Sequence, residues 1–156
     1  MRRLLPIDFV AAATPAYWRE HGKPSHPDEL RQHVQLAHSL PDRAPHWQFS
    51  VRGKPLELAL QPRFVTTNVA PLATLAAQGL GVVWGARRAL AAHIERGELE
   101  TALEAFSPTD VWLHVAYMQR RHNSAALRAL LQHLDEFAQT FRQDEAQGQA
   151  AVVSAP

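Results

Sequence analysis

One stretch, TTNVAPLATLAAQGLGVVWG at residues 66–85, limits what this chain can fold into more than any other. The eighteen residues from Val69 to Ala86 carry no charge, and about that many uncharged residues are enough to propose a membrane span. Half of them are Ala, Gly and Thr, which gain little on transfer to hydrocarbon. Asn68 is a favoured N-cap, Pro71 falls in a first turn where backbone N–H groups lack helical partners, and Gly79 sits where a left-handed C-cap is wanted. The stretch therefore divides into a helix of about ten residues and a buried strand, Leu80 to Trp84. A strand over Arg63–Thr67 before it and a helix over Ala86–Glu95 after it complete a βαβα unit. That predicts an α/β sheet with a right-handed crossover, and no membrane span.

The remaining elements follow from caps and periodicity. Ile7–Ala13 is a strand candidate, ended by Thr14 as N-cap and Pro15 as first residue of a helix that stops at Gly22. After a turn at Lys23–Pro27, the segment PDELRQH is a short helix, and Val34–His38 a strand. Ser39–Pro45 is a loop, and HWQFSV and LELAL form two strands around the turn RGKP. Val111–Met118 is a further strand. Asn123 or Ser124 caps the longest helix, in which Leu127, Leu130, Leu131, Leu134, Phe137, Ala138 and Phe141 form one apolar stripe. After Arg142 the period is lost, which predicts a disordered tail over 142–156.

Composition narrows the function classes. The chain of 156 residues carries 16 Lys and Arg against 15 Asp and Glu, so it lacks the positive excess that nucleic-acid binding leaves in a whole domain. Cysteine is absent, which removes disulfides, thiol nucleophiles and cysteine metal sites. The amino terminus, interrupted by Pro6 and Asp8, reads as no signal peptide, and a cytoplasmic location is the expectation. The histidines, among them His33, His38 and His46, have no metalloenzyme spacing and read as scattered surface residues, with no metal and no cofactor expected. Ser39 lacks a nucleophile elbow. Gly79-x-Gly81 stands between helix and strand, the reverse of a dinucleotide loop. The arginine pairs at 2–3, 87–88 and 120–121 are dispersed and offset by acids, as on a solvated surface. No enzyme is expected.

Several of these segments, in order and spacing, resemble a LysR-type transcriptional regulator in the carboxy-terminal part of its effector-binding domain. The resemblance rests on Ala-Thr-Pro-x-Tyr at 13–17, Gly22-x-Pro24, Pro27-x-x-Leu30-x-x-His33, and Asn68 eleven residues before Gly79-x-Gly81. It implies a two-lobed α/β fold like that of periplasmic solute-binding proteins, with a small effector between the lobes. By this resemblance residues 14–85 are the second lobe, 86–141 the return to a first lobe that is otherwise truncated, and DNA is bound only through an amino-terminal helix-turn-helix outside this chain. The intact protein is expected to be a homo-oligomer. Two departures from the family pattern are Glu29 for Asp and Trp84-Gly85 for Leu-Pro, the second of which affects the shape of the cleft.

Ligands of open α/β sheets collect at strand carboxyl ends and helix amino ends. That places the expected effector, a small carboxylate, at Thr66, Thr67, Asn68 and Val69, with Trp84 and Gly85 as a wall. The alternative is that Asn68 and the threonines only cap the helix, and that Trp84 is core. A free-standing binding module and a non-functional remnant are the alternative functions.

Overall fold

The computed structural model describes residues 2–39, 44–117 and 124–153. They fall into two compact units, Ile7–Val111 and the pair of segments Met1–Pro6 and Trp112–Pro156.

The larger unit is built on a five-stranded mixed sheet. Its strands are β2 (Phe9–Ala13), β3 (Gln35–His38), β6 (Phe64–Thr66), β7 (Val82–Ala86) and β8 (Glu100–Ala102), in the order β6-β3-β7-β2-β8. β3 runs parallel to β6 and to β7, while β2 runs antiparallel to β7 and to β8. The strands flanking the charge-free helix are thus parallel but not adjacent, because β3 lies between them. The antiparallel pairing of β2 with β7 and β8 joins residues 7–13 and 86–102 to the same sheet as residues 14–85.

Both faces of the sheet are covered, so side chains that alternate along a strand enter two different cores. Val10 and Ala12 of β2, Leu36 of β3 and Val83 of β7 join Leu72, Ala73 and Ala76 of the helix α2 (Val69–Ala77) and Leu90 of α3 (Arg87–Glu95). Each fully buried leucine there contributes roughly 1.5–3 kcal/mol. On the other face Ala11, Ala13, Val82 and Trp84 meet Tyr17 and Trp18 of α1 (Pro15–His21). Trp47, Phe49 and Leu58 of the hairpin β4 (His46–Val51) and β5 (Lys54–Ala59) complete that core. The hairpin turns at Arg52 and Gly53, both at positive φ, which is the two-residue turn whose twist matches the flanking strands.

The predicted caps are in place. Thr14 accepts a hydrogen bond from the Tyr17 N–H and Pro15 opens α1, which stops at Gly22. The segment Pro27–Gln32 is a 3-10 turn rather than an α-helix. Its Pro and Asp sit at the start as expected, but six residues give it little room for α-type bonding.

The smaller unit pairs β1 (Arg2–Pro6) antiparallel with β9 (Trp112–Val115). Leu4 and Leu5 pack on Ala138 and Leu134 of α4 (Ala125–Val153). Ser124 caps α4 by accepting from the Leu127 N–H, while Asn123 and Met118 lie outside the described residues, as do Arg120 and Arg121. α4 stays helical to Val153, where loss of apolar period predicts a disordered tail. The segment after Arg142 is rich in Ala and Gln, good helix formers that need no period. Among the described residues no helix is long and apolar enough to cross a membrane.

Candidate functional site

A cavity of about 360 Å3 opens in the larger unit at the carboxyl ends of β3 and β7. Both parallel strands point their ends there, and α2 and α3 begin there. This is where an open α/β sheet offers unpaired N–H groups to a ligand. The apolar wall is Trp84 and Gly85 of β7, with Val69 at the start of α2, Ala89 in the first turn of α3, and Phe9 and Trp47. The polar part is His38, His46 and Gln48.

Trp84 is held in place by two other rings. Its centroid lies 4.3 Å from that of Phe49 and 5.9 Å from that of Phe9, both tilted. Such pairs contribute about 0.5–1.5 kcal/mol beyond their area. Trp84 is 6% exposed and belongs to the core, and its remaining surface faces the cavity. Gly85 lies against it with no side chain to fill the space. An added Cβ would meet Leu90 and Val69 only at 3.9 Å, so glycine here widens the cavity without being forced by backbone geometry.

Of the six residues singled out from the sequence, Val69, Trp84 and Gly85 line this cavity, and Thr66, Thr67 and Asn68 do not. Asn68 Oδ1 accepts from the Ala70 N–H at 3.0 Å, and Thr66 Oγ1 accepts from the Asn68 N–H at 3.2 Å. These side chains serve as helix cap and strand terminator. One N–H of the α2 first turn is thereby already satisfied.

His38 and His46 are half-buried at the cavity, not scattered on the surface. His38 ends β3 and His46 opens β4, and nothing in their local sequence links them, because the meeting depends on how the hairpin folds over the sheet. His46 Nδ1 lies 3.0 Å from the Ala44 carbonyl. A carbonyl only accepts, so Nδ1 carries the hydrogen and Nε2 is left for another partner.

A second histidine group lies near α1. His21 stacks on Tyr17 at 4.2 Å, and His33 lies edge-on to Trp18 at 5.6 Å. The Tyr17 hydroxyl accepts from the Val34 N–H at 3.0 Å, and burial pushes its pKa above the ordinary value. His33 Nδ1 is buried without a hydrogen-bond partner. Burial pushes the His33 imidazole below its ordinary value of 6.5, His21 adds to that, and Glu29 opposes it. Among the described residues no group of three His, Cys, Asp or Glu side chains could hold a metal ion.

Of the described paired arginines, Arg88 is half-buried with a buried guanidinium nitrogen, and the others make surface contacts. Arg2 pairs with Asp135 at 2.6 Å, Arg87 with Glu104 at 3.7 Å, and the Arg3 guanidinium lies over the Trp112 ring.

A mixed sheet with α2 and α3 on one face, α1 and a hairpin on the other, and a cavity at the strand ends is the architecture of a ligand-binding α/β domain. Residues 1–139 match the LysR substrate binding domain, and the chain belongs to that family. It is a periplasmic-binding-protein-like regulatory domain, not an enzyme. The chain is 30% identical over 130 residues to the HTH-type transcriptional regulator YcaN of Escherichia coli, covering 83% of this chain and 42% of that protein. It is also 30% identical over 100 residues to YagP of Escherichia coli, a putative LysR family substrate binding domain-containing protein, covering 64% of this chain and 74% of that one. Among solved structures, the regulatory domain of CrgA, a LysR-type transcriptional regulator from Neisseria meningitidis, superposes with a TM-score of 0.70 at 25% identity. That match covers 88% of this chain and 67% of the other. The effector domain of AmpR of Pseudomonas aeruginosa shares the fold, with a TM-score of 0.63 at 20% identity over 96% of this chain and 68% of the other. The chain spans less than half the length of the YcaN regulator.

Proposed function

We propose that this chain is the effector-sensing part of a cytoplasmic, homo-oligomeric transcriptional regulator, and that a small anionic metabolite binds in the cavity beside Trp84. The observation that carries this reading is the position of the cavity. It lies at the carboxyl ends of two parallel strands and the amino ends of two helices, and it is walled by an aromatic ring held in place by two others. At about 360 Å3 it is near the lower end of ligand pockets, roughly 300–1,000 Å3, so the effector is small. DNA contact is assigned to an amino-terminal helix-turn-helix outside this chain, since the near-neutral charge balance offers no phosphate-binding excess.

The test is thermal unfolding of the chain with benzoate, succinate and 2-oxoglutarate, each up to millimolar concentration. A ligand present at 100 times its Kd stabilises the fold by about 2.7 kcal/mol, which for a chain of this size raises Tm by roughly 5–11 °C. Wild-type chain shows that rise with at least one of the three, and Trp84→Ala abolishes the response at temperatures where the variant is folded. An equal response in Trp84→Ala sinks the assignment.

A stand-alone effector-binding module is a second reading. It is supported by YagP, of which the matched 100 residues form 74%. The DNA upstream of the Met1 codon decides between them: an in-frame helix-turn-helix and linker helix supports the regulator, and a nearby stop codon supports the module.

A further inference from the structure

We propose that the effector is a small aromatic monocarboxylate whose acid group is held by the imidazoles of His38 and His46, and not by the amino terminus of α2. This rests on the reading of the cavity as the effector site and names the ligand class and the residues that select it.

Three observations support the assignment. First, the polar lining is one-sided. His38, His46 and Gln48 are the cavity's polar side chains among the described residues, and no carboxylate accompanies them. An anionic head therefore meets no like charge among these lining side chains, beside imidazole and amide groups that can share or donate a proton. Second, the donors at the α2 start are partly used up. Asn68 and Thr66 are committed to the backbone at 3.0 and 3.2 Å. Third, the His46 bond to the Ala44 carbonyl fixes the ring, with Nδ1 as donor and Nε2 free. That nitrogen is left for a ligand, and a carboxylic acid bound through it shares its proton between imidazole and carboxylate in a charge-assisted hydrogen bond.

The body of the ligand is set by the opposite wall. Trp84, Trp47 and Phe9 present aromatic surface, and Val69 and Ala89 add aliphatic surface. A planar apolar ring stacks against such a wall with little conformational entropy lost. Ala59 faces His46 across the hairpin, and Gln48 faces Glu57. Arg87 at the start of α3 is engaged with Glu104.

The experiment is calorimetric titration of the full chain with benzoate and with benzamide, its neutral isostere. Wild type prefers benzoate by roughly tenfold, since hydrogen bonds in which one partner is ionised are about twice as strong as neutral ones. In the double variant His38→Gln, His46→Gln that preference falls to about one, while benzamide binds as in wild type. General damage to the fold weakens benzamide along with benzoate, whereas loss of the histidines weakens benzoate alone. An unchanged preference in the double variant overturns the histidine assignment and leaves the cavity reading intact. Binding of succinate or 2-oxoglutarate with neither aromatic probe overturns the aromatic class alone. Failure of all four compounds overturns the cavity reading and this inference with it.

Discussion

Gly79 and Gly81 look equivalent in the sequence, yet the structure gives them different reasons to be glycine. Gly79 follows α2 with φ +78°, and an added Cβ would meet only Thr14 Oγ1 at 3.7 Å. Alanine there suffers the left-handed penalty, about 1–2 kcal/mol, and little else. At Gly81, φ is +156° and a Cβ would stand 2.5 Å from the Val34 carbonyl oxygen and 2.9 Å from Val34 Cγ1. The oxygen cannot simply move aside, because it accepts the Val82 N–H at 2.8 Å where β7 meets β3. Backbone must shift, and the strand entry opens with it. Overpacking costs roughly 1–3 kcal/mol and strained backbone about 1–3 more, so Gly81→Ala is predicted to destabilise by about 2–6 kcal/mol. Total stability of such a domain is roughly 5–15 kcal/mol, so the variant is close to unfolding. Urea unfolding of the full chain measures this. With a slope of roughly 2 kcal/mol/M, Gly81→Ala lowers the midpoint by about 1 M or more, and Gly79→Ala by about half that. A Gly81→Ala midpoint equal to or above that of Gly79→Ala refutes the argument from close approach.

Asn68→Ala should cost about 1 kcal/mol, the usual price of an N-cap, while leaving affinity for cavity ligands within about twofold; a collapse of affinity would return the α2 amino terminus to the ligand site. His33 makes stability fall in mild acid. Its folded-state pKa lies below 6.5, so below that pH the unfolded chain binds the proton more readily than the folded one. Stability is therefore complete above about pH 6.5 and is lost progressively as pH falls toward the depressed folded value. Urea midpoints measured across pH 5–8 should show that decline, flattened in His33→Gln; an identical pH profile in the variant contradicts it.

What could be read from the sequence follows the range of the interactions involved. Caps such as Thr14–Pro15, Asn68 and Ser124 act over three residues, and they mark their helices directly. The hairpin at Arg52–Gly53 was legible for the same reason. β1 was missed because RRLLP carries two charges and a proline and gains strand character only by pairing with β9, more than a hundred residues away. β8 is three residues long, too short for a period. The insertion of β3 between β6 and β7 is likewise a long-range choice. The site divides on the same line. Trp84, Gly85 and Val69 line the cavity because strand ends and helix starts converge in any such sheet. Thr66 and Asn68 lie off the cavity and make capping bonds; a capping side chain and a ligand donor have the same local signature. His38 and His46 come together only through the hairpin, so their separation in sequence gave no hint of a shared cavity.

The most direct test of the effector site is a 1H–15N correlation spectrum of the labelled chain, titrated with benzoate and, separately, with succinate. The account predicts progressive shifts at the amides of Val69, Gly85, Ala86 and Ala89 and at the Trp84 indole, with the Thr67 and Asn68 amides little changed. Shifts confined elsewhere, such as the exposed edge at Phe64 and Val65, or no shifts with either compound, would contradict it.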